Sequence, residues 1–341
     1  MRCFKLLLIS LIFTAQASAN ITVQGCNILQ YSSSWDMFKQ QFITPDGRVV
    51  DNGNANISHS EGQGYGLLLA DFFGDHQSFK KIWNWTESNL QRTDNALFYW
   101  KWQANQPHIP DRNNASDGDI LIAWALLKAD RSWPGNNYLQ IAQKIIDELA
   151  SNHIIKLDNE YALLPAKIGF QHNKSTVINP AYWVYPALDD FVQQGKIWAA
   201  LSKSGRDILS KNQFGQYQLP SDWLEFNGTD WLPAKQFPSR FSYSSYRIPL
   251  YLIWAGYQHP INGYYQQWLQ QNNTAWVDIN NNSMADHAPP TSAYAIATLV
   301  KMNQSEIKNR NTLPLPKLQD DYYSASLTLF THIAFHERFC K

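Results

Sequence analysis

Charge is scarce in this 341-residue chain: Asp, Glu, Lys and Arg make up 16% of it, against about a quarter in an ordinary soluble domain. The two signs cancel, 28 against 28, which leaves no electrostatic footprint for nucleic acid or an anionic lipid surface. Cysteine is rarer still, with three. There is no P-loop, no dinucleotide-type glycine fingerprint, no C-x-x-C and no H-E-x-x-H. The nine His fall at no metal-ligand spacing, so neither a cofactor nor a metal is expected. G-x-S-x-G is also missing, which disfavours an α/β-hydrolase. Past the first residues no apolar run reaches transmembrane length.

Aromatic residues fill the gap at 14%, including 14 Trp and 17 Tyr. Flat rings cover the apolar faces of sugars and amides bond their hydroxyls, so this composition suits a neutral, hydroxylated ligand. The length fits one large or two medium domains, and 44% hydrophobic residues argue against disorder.

Residues 1–19 read as a secretory signal peptide. Arg2 and Lys5 precede the apolar run Leu6 to Phe13, and Ala17-Ser18-Ala19 follows as an A-x-A cleavage pattern. The expected location is therefore periplasmic or secreted, with no membrane span after signal removal. Cleavage would take Cys3 away and leave Cys26 and Cys340. In an exported chain these two can pair across the termini or remain free thiols.

Helical periodicity dominates the rest. Phe79, Ile82, Trp83 and Leu90 share a face; so do Ile120, Ala123, Trp124 and Leu127, and again Ile141, Ile145, Ile146 and Leu149. Further patterns cover 182–193, 195–210, 245–257, 263–272, 291–303 and 322–336, with turn signals between them. Short strands are expected near 46–50 and 161–164. Short loops and no low-complexity linker argue for one all-helical domain over 20–341, built of about a dozen helices.

Two acidic clusters open helices. In Ser60-Glu61-Gly62-Gln63-Gly64-Tyr65-Gly66, Ser60 is the expected N-cap and Glu61 lies in the first turn. Alternating glycines there permit close approach of another backbone or a ligand. In Asn113-Asn114-Ala115-Ser116-Asp117-Gly118-Asp119, the expected cap is Ser116 or Asp117. A carboxylate at a helix start is kept ionised by the aligned N–H groups; Glu61 takes the opposite role only if nearby aromatics desolvate it. One proton donor and one anion are what glycosidic bond cleavage needs.

These residues also resemble a family. Ala115-Ser116-Asp117-Gly118-Asp119 followed by Ile122-Ala123-Trp124-Ala125-Leu126-Leu127 resembles the signature of glycoside hydrolase family 8, and the Ser60 to Gly66 block resembles its other catalytic motif. Smaller matches follow in family order: Trp100-Lys101-Trp102, Leu163-Leu164-Pro165, Asn179-Pro180-Ala181-Tyr182, Ser221-Asp222-Trp223 and Arg247-Ile248-Pro249-Leu250-Tyr251. The resemblance implies an all-α fold, an (α/α)6 barrel, and endo-hydrolysis of β-1,4-glucan with inversion. It makes Glu61 the proton donor and Asp117 the essential anion. Length and leader resemble those of periplasmic endoglucanases that accompany bacterial cellulose synthesis, which implies a glucan polysaccharide or oligosaccharide as partner and extends to a cellulose synthase complex. Related sequences cleave chitosan or xylan.

One position departs from the family pattern. Phe241-Ser242-Tyr243-Ser244-Ser245-Tyr246-Arg247 matches a segment that usually reads Phe-Ser-Tyr-Asp-Ala-x-Arg, whose Asp activates water; here Ser244 stands in its place. Three readings stay open: Asp117 or Asp119 holds the water; a base such as Asp222 or Glu225 arrives from a loop; or the protein is a weak hydrolase that mainly binds glucan. Trp100, Trp102, Tyr182, Trp183 and Trp223 are candidates to stack glucose rings. Tyr243 and Arg247 are candidates to bond sugar hydroxyls or hold a catalytic carboxylate.

Overall fold

The computed structural model describes residues 22–340, so the leader read over 1–19, with Cys3, lies outside the described residues. Eleven α-helices run through these residues: α1 (Ser32–Phe42), α2 (Ser60–Phe72), α3 (His76–Leu90), α4 (Ser116–Ser132), α5 (Tyr138–Asn152), α6 (Tyr185–Phe191), α7 (Lys196–Lys211), α8 (Arg247–Ala255), α9 (Pro260–Asn272), α10 (Thr291–Gln304) and α11 (Tyr322–Phe339). In an inner ring α2, α4, α6, α8, α10 and α11 each pack on the next, and α11 closes back on α2. Outside them α3 packs on α2, α5 on α4, α7 on α6, α9 on α8 and α10, and α1 on α11. This is the (α/α)6 arrangement. Between α10 and α11 the chain makes a strand, Ile307–Asn309, and a 3-10 turn, Arg310–Thr312, rather than a helix, so the described residues hold eleven helices, in keeping with the expected dozen or so.

Sequence pattern separates the rings. In α3, Phe79, Ile82, Trp83 and Leu90 face inward, and Asp75 starts the helix by accepting a hydrogen bond from Ser78 N at 3.0 Å. α4 is buried without a break from Ser116 to Leu127, and α11 from Ser324 to Phe335. A helix apolar on every side belongs inside, and each buried Leu or Ile there contributes about 1.5–3 kcal/mol.

Two glycines bring α2 and α4 together. A Cβ on Gly64 would lie 2.6 Å from Leu121 Cβ, and one on Gly118 would lie 2.7 Å from Glu61 N, closer than carbon atoms tolerate. Without side chains at these two places the helices approach until their first turns touch.

Strand content is small. The expected strand near 161–164 is Glu160–Leu163, paired antiparallel with Ile154–Leu157. The stretch 46–50 forms no strand; Val49 makes an isolated bridge to Ile43 inside a turn. A three-stranded antiparallel sheet, Thr176–Ile178, Leu224–Phe226 and Trp231–Pro233, rises beside the barrel mouth. At the far end of α11, Cys340 forms a disulfide with Cys26, Cα to Cα 5.5 Å, beside the parallel pairing of Thr22–Gln24 with Ile307–Asn309.

Candidate active site

Three inner helices deliver their first turns to one point. Glu61 is the second residue of α2, Asp117 the second of α4 and Arg247 the first of α8. Local capping differs from expectation. His59, rather than Ser60, caps α2 by accepting from Gly62 N at 3.0 Å. Its other ring nitrogen then carries the proton and donates to Asp51 at 3.2 Å. α4 begins after Ala115 with no side-chain cap, and Asp117 Oδ1 accepts from its neighbour Gly118 N at 2.8 Å.

A single guanidinium nitrogen joins the acids. Arg247 Nη1 donates to Glu61 Oε2 and, at 2.7 Å, to Asp117 Oδ2. Arg247 and Asp117 are buried, and Glu61 keeps 15% of its side-chain surface open. Sharing one nitrogen keeps the two carboxyl oxygens no more than two hydrogen-bond lengths apart. That is well inside the roughly 6.5–9.5 Å that leaves room for water between an acid and its base. Glu61 and Asp117 therefore form one carboxyl pair on Arg247, too close together for water to stand between them.

The electrostatics also depart from the helix-dipole expectation. Burial, and next the charge of Glu61, push Asp117 up to about 7, against the pull of Arg247. Burial opposes the charge on Arg247, yet Glu61 and Asp117 keep it well above the ordinary range. One cation faces two carboxyls in a buried place, so the trio retains a single proton up to about neutrality. A proton held by this pair is the supply a general acid needs.

The other acids are engaged elsewhere. Asp119 accepts from Phe98 N at 2.9 Å and from Asn114 Nδ2 at 2.8 Å; burial raises it to about 7. With each oxygen bonded to a protein donor, it braces the entry to α4. Asp222 accepts from Ser242 N at 3.0 Å, Ser245 Oγ at 2.5 Å and Ser242 Oγ, and burial raises it too. It anchors the turn that carries Ser244. Glu225 sits half-buried in the middle strand of the small sheet. Ser244 Oγ accepts from Arg247 Nη2 at 3.0 Å and Asn179 Nδ2 at 3.1 Å, which puts it on the guanidinium itself.

The aromatic candidates divide. Trp100, Tyr182 and Trp223 line a cleft of about 360 Å³ together with Asn113, Asn114 and Phe170, at the entry to α4. Tyr182 lies 5.5 Å from the Arg247 guanidinium. Trp223 runs parallel to Phe237 at 4.2 Å and to Phe170 at 5.6 Å, so Phe237 covers one of its faces. Trp100 Nε1 donates to Asp111 at 2.8 Å. Trp102 lies outside this cleft, stacked on His108 at 5.2 Å and edge-on to Trp85. Tyr243 is exposed and hydrogen-bonded to His287 at 2.8 Å. Trp183 is core: its indole donates to Leu201 O and packs over Gly205. A larger cavity, about 660 Å³, opens between the 157–160 turn, the end of α7 and Trp231, and contains no predicted site residue.

Sequence reasoning passed over Asn179 and Tyr323. Asn179 stood inside a quoted motif without a role. Tyr323, at the start of α11, lies near Arg247 and Glu61 and donates to Tyr243 O at 2.9 Å; its signal was the acidic cap Asp321 opening a further inner helix. Among the described residues no group of three or more His, Cys, Asp or Glu could hold a metal ion, and no helix is long and apolar enough to cross a membrane.

A family model described as glycosyl hydrolases family 8 matches residues 1–336. The chain belongs to that family. An endoglucanase of Cellulomonas uda is 35% identical over 261 residues, covering 74% of this chain and 73% of that protein. Two solved relatives share the fold, the first of them described as a family 8 glycosyl hydrolase. An endoglucanase of Klebsiella pneumoniae superposes with a TM-score of 0.84 at 35% identity, covering 90% of this chain and 99% of that one. An endo-β-1,4-glucanase of Acetobacter xylinum does so with a TM-score of 0.82 at 35% identity, covering 90% and 98%. Membership of family 8 makes the chain a glycoside hydrolase, with the Glu61–Arg247–Asp117 cluster at the mouth of the family's barrel.

Proposed function

We propose that this chain is an endo-β-1,4-glucanase that hydrolyses cellulose or a cellulose-like glucan with inversion of configuration. The observation that carries the reading is the Glu61–Asp117 pair held on Arg247 beside an aromatic cleft. Glu61, the more open of the two carboxyls, gives its proton to the glycosidic oxygen as the bond breaks. Asp117 stabilises the positive charge that grows on the sugar ring and orients it. Arg247 fixes both carboxyls and balances one of their charges. Trp100, Tyr182 and Trp223 flank the glucan path. Relatives named endoglucanase, at 35% identity over most of the chain, support the choice of polymer.

The proposal extends to the setting. A catalytic domain from residue 20 onward, released by cleavage after Ala19, would work in the periplasm or outside the cell. The Cys26–Cys340 disulfide supports this, because such bonds persist in oxidising compartments. Trimming of glucan beside a cellulose synthase complex belongs to the same proposal and rests on the likeness of length and leader.

Release of reducing ends from carboxymethylcellulose tests the reading. Glu61→Gln and Asp117→Asn should each abolish release, and near wild-type rates in either variant would refute the assignment. Running chitosan and xylan beside the glucan decides between polymers. Ser244 favours one second reading, a weakly active glucan-binding protein; cello-oligosaccharide binding without turnover, unchanged in Glu61→Gln, would establish it.

A further inference from the structure

Two N–H donors converge on one neutral oxygen at the mouth of the site. Arg247 Nη2 and Asn179 Nδ2 both donate to Ser244 Oγ, at 3.0 and 3.1 Å. Among the described residues neither donor atom has another acceptor. The nearby acids are committed: Glu61 and Asp117 to Nη1, Asp119 to Phe98 N and Asn114, and Asp222 to Ser242 and Ser245. A hydroxyl is a poorer acceptor for a guanidinium than a carboxylate is, since charge-assisted bonds are about twice as strong. Ser244 is half-buried, so small solutes reach it.

We propose that the Ser244 turn takes a small monocarboxylate from solution, of the size of formate, which accepts the proton of the attacking water. The proposal rests on the hydrolytic reading above. The carboxylate bonds Arg247 Nη2 and Asn179 Nδ2, and the Ser244 hydroxyl turns to donate to it. In the step, the water oxygen bonds to the anomeric carbon as the glycosidic C–O bond breaks. One water proton goes to the carboxylate, which leaves as the free acid and ionises in bulk solvent. The Glu61 proton goes to the departing oxygen and is replaced from solvent. Nothing is oxidised or reduced.

Charge selects the class of anion. Arg247 with Glu61, Asp117 and one shared proton sums to zero, so a monoanion brings the cluster to −1. A phosphate dianion would bring it to −2 in a largely buried place, where unpaired charge is costly.

The test compares turnover of cellopentaose by the wild type and by Ser244→Asp, in sodium formate and in sodium chloride of equal ionic strength. Formate should raise wild-type kcat saturably, by about tenfold or more, a part of the ~10²–10⁴-fold that a positioned base contributes. Ser244→Asp should be faster in chloride and indifferent to formate. Asn179→Ala should raise the formate concentration needed for half-activation. Sodium azide, an anion that needs no deprotonation, should give the α-glycosyl azide with the wild type, detectable by NMR. No formate response in the wild type, while Ser244→Asp turns over, overturns the proposal and leaves the glucanase reading standing. An equal formate response in Ser244→Asp, or activation by phosphate at the same ionic strength, also overturns it. Absence of turnover by both proteins in every salt overturns the glucanase reading itself.

Discussion

Asp117 and Asp119 stand two residues apart at the head of one helix, and both are pushed up to about 7, for different uses. Asp119 is held by Phe98 N and Asn114, Asp117 by Arg247 and by its closeness to Glu61. A carboxyl whose folded value is raised binds its proton more tightly in the folded state. Its contribution is therefore fully present below the unfolded value near 4 and is lost as pH rises through about 7. The buried His153 and His332, lowered to about 4, act with the opposite sign, so the clean reading is a difference. The thermal midpoint of Asp119→Asn relative to wild type should rise as pH goes from about 4 to 7, and a difference independent of pH would contradict the assignment. For catalysis the same proton matters differently. kcat/KM should decline as pH rises through about 7, where the pair gives up its shared proton, and a pH–rate profile of the wild type reads this directly.

At the scale of elements, the site exists because α2 and α4 start side by side. Gly118→Ala should force their first turns apart, costing about 1–3 kcal/mol of stability as overpacking does and lowering kcat, both measurable on one preparation. A wild-type melting curve for that variant would show the contact to be slack. Most helices were legible because their periodicity is the cause of their burial: Phe79, Ile82 and Trp83 share a face in sequence and in space. Glu61 and Asp117 were legible as acidic helix starts, and their mutual distance was not. That distance depends on Gly64 and Gly118 meeting across helices, and on an arginine 130 residues beyond Asp117. Trp183 illustrates the opposite failure. Its motif suggested a sugar platform, but nothing local distinguishes a ring that packs on Gly205 from one that faces a cleft. Trp223→Ala should raise KM by about three- to tenfold with less effect on kcat, the worth of an aromatic contact.

For the whole molecule, α2, α4 and α8 start at the end that holds the Glu61–Arg247–Asp117 cluster, and the disulfide sits at the other. The Cys26–Cys340 bond closes a separation of 314 residues; removing it with Cys26→Ser should lower stability by about 2–5 kcal/mol, seen as a lower denaturant midpoint. The carboxylate pair, at the opposite end of α11, should retain its activity at temperatures where the variant is folded. The closure has one more consequence. With Cα atoms only 5.5 Å apart at Cys26 and Cys340, the barrel is in effect an endless loop of helices whose point of entry is arbitrary. A circular permutant that joins these ends through a short linker and opens in the exposed turn at Pro134 and Gly135 should fold to the same barrel, because breaks in exposed turns are tolerated.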